Sequence, residues 1–182
     1  MNGFPRRVFL KRSAWSLAAL STAGAAGWTG CTPGETPGEG LQILSPREYA
    51  ILRAVAGRFV PSGGPYDLGA EEVGVALKLD RFLASADPEI ASNFRAGLWL
   101  LELGAPIFGP GWSRFTARDA AGQDACLRGL LAGRPRITLD LYDGFKRASL
   151  FAFYDDDAVW PHLGYDGPWV GRGAGTNAGD SP

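Results

Sequence analysis

The sequence predicts an all-α fold, a compact bundle of about five helices. Apolar residues recur at three- and four-residue spacing in five windows between residues 46 and 153. Residues that start and stop helices stand at the edges of those windows. No window alternates in twos with β-branched enrichment, so no sheet is expected.

Ser45-Pro46-Arg47-Glu48 opens the first helix. Ser45 can cap, Pro46 suits the first helical position and Glu48 can return to the cap amide. Tyr49, Leu52, Ala56 and Phe59 form its apolar stripe, and Pro61-Ser62-Gly63-Gly64-Pro65 ends it. A second helix is expected from about residue 70 to 84, with Val73, Leu77 and Phe82 or Leu83 inward. Asp87-Pro88 starts a third, with Ile90, Phe94, Leu98 and Leu101 inward, and a break is expected from Gly104 to Gly111, which holds Pro106 and Pro110. Thr116-Ala117-Arg118-Asp119 resembles a capped start for a fourth helix carrying Leu127, Leu130 and Leu131, which stops at Gly133-Arg134-Pro135. The fifth spans about 137–153, with Tyr142, Phe145 and Ser149 on one side. Cys126 reads as a small buried thiol.

Beyond Tyr154 the chain places Trp160, Leu163, Tyr165, Pro168 and Trp169 among glycines, prolines and Asp155, Asp156 and Asp157. These residues are too few for a helical core and too apolar for a solvated tail. They are the candidate partner interface, together with part of the 61–70 loop; the alternative is that they fold back on their own helices. Residues 171–182 are rich in glycine and are expected to be disordered.

Length and charge bound the function. A length of 182 residues allows one domain of ordinary size, or one domain plus a targeting segment. Its net charge of −1 argues against a general nucleic-acid binder. Two cysteines and one histidine are too few for a zinc site, an iron–sulfur cluster or a disulfide framework. The first 30 residues carry four basic groups and no acid; the remaining 14 basic and 19 acidic groups leave −5 on residues 31–182.

Arg6-Arg7-Val8-Phe9-Leu10-Lys11 resembles the twin-arginine signal by which bacteria export folded proteins. A run from Ala14 to Ala26 follows, too short and too rich in small residues for a spanning helix. Residues 1–30 are therefore read as an export signal and residues 31–43 as a flexible tether before the domain at 44–170. Two processing routes fit. Ala23-Gly24-Ala25 allows cleavage after Ala25, and Trp28-Thr29-Gly30-Cys31 resembles a lipoprotein box that would lipidate Cys31.

No catalytic constellation is visible. His162 lacks a sequence-adjacent nucleophile or ligand set and reads first as a surface or structural histidine, although it could pair with Asp155, Asp156 and Asp157 as an enzyme site. No phosphate-binding loop, haem-attachment pair or nucleophile elbow is present in the sequence. No catalytic, cofactor-binding or metal-ligating residue is assigned.

In order and spacing, several segments together resemble the small subunit (subunit 3) family of membrane-associated gluconate 2-dehydrogenase and related flavin sugar dehydrogenases. They are Arg6-Arg7, Leu44 to Tyr49, Phe59-Val60-Pro61, Gly69 to Val75, Leu79 to Leu83, Trp160, Leu163-Gly164-Tyr165 and Gly167-Pro168. The resemblance implies a non-catalytic partner of a larger flavoprotein of the glucose–methanol–choline oxidoreductase type. That partner would hold FAD and pass electrons, in some complexes, to a haem-bearing cytochrome c subunit. It further implies export of the flavoprotein as a folded passenger through the twin-arginine translocase, to a periplasmic location with Cys31 as a membrane anchor if it is lipidated. Residues 108–136 carry no family landmark. The reading from another class is a free-standing exported α-helical lipoprotein with a scaffold or adhesion role.

Overall fold

The computed structural model describes residues 40–64, 67–132 and 136–168. The export-signal residues Arg6, Arg7, Phe9, Leu10 and Lys11, the lipidation candidate Cys31, residue Trp169 and the 171–182 tail lie outside the described residues. Within them the protein is all-α, with five helices and no strand. These are α1 (Pro46–Phe59), α2 (Val75–Ser85), α3 (Pro88–Phe108), α4 (Ala120–Ala132) and α5 (Ile137–Tyr154). Short 3-10 turns at Phe115–Ala117 and Trp160–Leu163 complete the fold.

Helix α1 is the hub. Its start has the full reciprocal cap: the Glu48 amide donates to the Ser45 hydroxyl, and the Ser45 amide donates to the Glu48 carboxylate at 2.8 Å. Ile51, Leu52 and Val55 are fully buried, and α1 packs against each of the other four helices and the Phe115–Ala117 turn. Around it sit Val75, Leu79 and Leu83 of α2, Leu98 and Leu101 of α3, Leu130 of α4, and Phe145 and Phe153 of α5. Burying each such side chain contributes about 1.5–3 kcal/mol, so the long apolar face of α1 is the largest single source of cohesion.

Six expectations need correction. Helix α2 begins at Val75 rather than near residue 70, because Gly74 sits in the left-handed region (φ 69°) and residues 70–74 close a turn instead. The later start turns Val75, Ala76, Leu79 and Leu83 inward, leaves Val73 and Leu77 half-buried and exposes Phe82. Helix α3 does not break at Gly104. Pro106 falls in its last turn, where it denies a hydrogen bond only to the Glu102 carbonyl, while the Gly109 amide still closes on Ala105 at 3.0 Å. Gly104 helps, since a Cβ there would stand 2.6 Å from the Phe108 ring that folds back over it. Ile90, expected inward, is exposed.

The cap of α4 is Asp119 and not Thr116: the Asp119 carboxylate accepts the Gly122 amide at 2.9 Å. Leu131, expected in the α4 core stripe, is exposed, whereas Leu127 and Leu130 are buried. Cys126 is fully buried, and burial pushes its thiol pKa up. Gly129 and Gly109 let α4 cross the end of α3 closely; a Cβ on Gly129 would lie 1.6 Å from the Phe108 carbonyl oxygen.

Candidate functional site

Three carboxylates invisible to helical periodicity are buried, and each holds a segment in place. Asp80 of α2 is fully buried and accepts the backbone amides of Gln42 (2.6 Å), Ile43 (3.1 Å) and Leu44 (2.8 Å). Three successive amides converging on one anion form a nest that fixes the approach to α1. Glu102 of α3 is also fully buried, accepting the Thr116 amide (2.9 Å) and hydroxyl (2.8 Å), with Arg47 at 3.5 Å. Glu48 accepts from Arg95 at 3.0 Å and from the Trp99 indole at 3.1 Å, and the Arg47 guanidinium lies over the Trp99 ring. Burial alone would raise the Glu48 pKa; the Ser45 amide, Arg95 and the Ser45 hydroxyl outweigh it and hold the pKa below its ordinary value.

All three carboxylates thus spend their oxygens on structural donors. A cavity between α1 and the 70–74 turn, beside Tyr49, Arg53 and Glu71, measures about 20 Å³, room for about one water. Among the described residues no cluster of His, Cys, Asp and Glu assembles three metal-ligating side chains, and no helix is long and apolar enough to cross a membrane.

The C-terminal end of α5 carries the surface of interest. After Tyr154 the chain turns, and fully buried Val159 pins the segment to the core. The Trp160 indole donates to the Tyr154 carbonyl at 3.0 Å, satisfying a group of the last helical turn. Its ring meets Tyr165 edge-on at 5.5 Å. Gly164, at φ 66°, reverses the chain so that the Tyr165 amide returns to the Trp160 carbonyl. Asp156 pairs with Lys78 of α2, which holds the Asp156 pKa below its ordinary value, and also caps the Ala158 amide at 2.8 Å.

Of the sequence-predicted interface residues, Leu163, Tyr165 and Pro168 are exposed, and Trp160 is half-buried and held by its indole. The structure adds three that periodicity missed. Phe82 and Phe151 meet at 5.9 Å across α2 and α5, both more than half exposed, and Tyr154 is nearly half exposed. The cue was available in retrospect: Phe82 is four residues from Lys78, and Phe151 and Tyr154 share a face of α5. His162 is exposed in the Trp160–Leu163 turn, and its amide donates to the Val159 carbonyl. Asp155 and Asp157 are exposed. Comparison with protein-family models, with curated proteins and with solved structures yields no match.

Proposed function

We propose that this chain is the non-catalytic small subunit of an exported flavin-dependent gluconate or sugar dehydrogenase complex, supporting export, maturation or stability of a flavoprotein large subunit. FAD belongs to that partner, and haem to a cytochrome c subunit where one is present. The observation that carries the reading is the aromatic end of the bundle. Phe82, Phe151, Tyr154, Leu163 and Tyr165 are each at least two-fifths exposed. Phe82 meets Phe151 and Tyr165 meets Trp160, and partly exposed aromatics on a well-held scaffold are what protein interfaces use as anchors. The family resemblance of the flanking segments and the twin-arginine-like Arg6-Arg7 leader support the same reading. Cys31 supplies the membrane anchor if it is lipidated.

Co-purification tests it. A tagged full chain recovered from its own host is expected to bring down a larger polypeptide, with a flavin absorbance spectrum in the eluate. Arg6→Lys with Arg7→Lys is expected to retain both chains in the cytoplasm, since lysine lacks the planar guanidinium fork. A chain recovered alone, or undiminished periplasmic dehydrogenase activity in the double variant, would remove the proposal.

A further inference from the structure

Helix α2 is tied to both ends of the domain. On one side Asp80 takes the amides of Gln42, Ile43 and Leu44, ahead of α1. Lys78, two residues away and so roughly opposite around the helix, pairs with Asp156, and Phe82 on the same face meets Phe151. Asp156 organises the segment that follows α5: its carboxylate accepts the Ala158 amide and its carbonyl the Val159 amide. Val159 leads into the Trp160–Leu163 turn, where Trp160 meets Tyr165 edge-on. By itself α2 is weak. It has eleven residues, and Gly74 at its start supplies no side-chain cap, whereas isolated helices need about 12–15 residues to persist.

The Asp80 carboxylate makes this arrangement all-or-none. It is fully buried, and the three amides are its hydrogen-bond donors. Lifting residues 42–44 away while α2 stays would strand a charge in the core, which is far costlier than parting an exposed pair. The half-open state is therefore the worst one. Relief comes only when α2 moves far enough for Asp80 to reach water, and that movement takes Lys78 from Asp156 and Phe82 from Phe151.

We propose that α2 is a latch: residues 42–44 seated on Asp80 hold it against α5 and keep the aromatic surface assembled, and unseating them dismantles that surface. The role of the surface in holding a flavoprotein rests on the function proposed above; the latch is a property of the chain alone. Coupling of this kind is reciprocal. A chain whose residues 42–44 are not yet seated presents a poorer docking surface, and a protein docked on that surface tightens the grip on residues 42–44.

Amide hydrogen exchange of the full chain, resolved by NMR, tests this. Gln42→Pro with Ile43→Pro removes two of the three donors to Asp80, since proline has no N–H. Exchange at Leu79, Val159 and Tyr165 should then quicken by about tenfold or more. Val55 of α1 and Leu130 of α4, both fully buried, should keep their wild-type rates. Adding Asp80→Asn removes the stranded charge and keeps the side-chain shape, so it should bring the three quickened amides back to within about threefold of wild type. Lys78→Met tests the reverse direction without the prolines: the amides of Gln42, Ile43 and Leu44 should exchange roughly threefold faster or more. Unchanged exchange at Val159 and Tyr165 in the proline variant overturns the latch. So does an equal rise at Val55 and Leu130, which would make α2 part of one global unfolding unit, or a failure of Asp80→Asn to slow the exchange. A flavoprotein recovered equally well by the wild type and the proline variant also overturns it, and leaves the proposed function standing. Exchange as expected, with no flavoprotein recovered by the wild type, upholds the latch and removes the functional reading alone.

Discussion

Replacing Asp80 removes the one acceptor that three consecutive backbone amides share, and the cost follows from how each is placed. The Leu44 amide is buried, those of Gln42 and Ile43 partly so. Hydrogen bonds to a charged acceptor contribute about 1.5–3 kcal/mol each, and a buried donor left alone costs about 1–3 kcal/mol. The partly buried amides can turn to water and the desolvation of the carboxylate itself is relieved. The net loss for Asp80→Ala is therefore expected at about 3–4 kcal/mol. For a domain of this size that is a fall in Tm of roughly 10–15 °C. Asp80→Asn should cost about half as much: Oδ1 alone takes Ile43 and Leu44, so an amide oxygen there keeps two of the three bonds. Urea unfolding followed by helical circular dichroism gives the free energies, and hydrogen exchange at residues 42–44 gives the local effect. A loss below about 1 kcal/mol for Asp80→Ala, with the Leu44 amide still protected, would refute the role assigned to the nest.

Gly129→Ala should cost about 1–3 kcal/mol, since its Cβ would overlap the Phe108 carbonyl and force α4 off the end of α3; chemical denaturation measures it. The Ser149 hydroxyl is fully buried with no hydrogen-bond partner, so Ser149→Ala should leave stability unchanged or raise it by up to about 1 kcal/mol in the same assay. Asp156 and Asp124 are held below their ordinary pKa by Lys78 and Arg58. A depressed folded pKa stabilises the fold fully above the unfolded value near 4 and loses that contribution as pH falls through the folded pKa. Unfolding midpoints should therefore fall on the acid side below about pH 4, and less so in Asp156→Asn; an equal acid limb in that variant would count against the pairing. Trp160→Ala with Tyr165→Ala should weaken recovery of the proposed flavoprotein partner while the isolated chain melts nearly unchanged. A fall of many degrees would make the turn part of the core instead.

Helix identity was legible because caps and periodicity coincide. Ser45 to Glu48 and Asp87-Pro88 mark starts, and Leu52, Leu98, Leu130 and Phe145 mark inner faces that are buried as expected. Boundaries failed where one backbone angle or one ring decided the matter, at Gly74 and at Gly104 beneath Phe108. The buried acids Asp80 and Glu102 were not legible at all. A carboxylate on a helix reads as solvent-facing unless its donors are known, and those donors are backbone amides and Thr116, distant in sequence. Similarly, the eye is drawn to Trp160 near the end of the chain, but the residue that reaches the core is its smaller neighbour Val159.

The Asp80 nest also sets where the fold takes mechanical load. Whatever precedes residue 40 joins the domain through a strand of chain whose amides at 42, 43 and 44 all grip one carboxylate on α2. Tension applied from the N-terminal side therefore meets the Gln42 bond first and those of Ile43 and Leu44 next, before it reaches the first turn of α1. Trimming the chain at any point ahead of Gly40 removes none of those bonds, whereas a cut after Leu44 releases all of them at once. The Asp80 grip thus stands between the chain ahead of Gly40 and the first turn of α1.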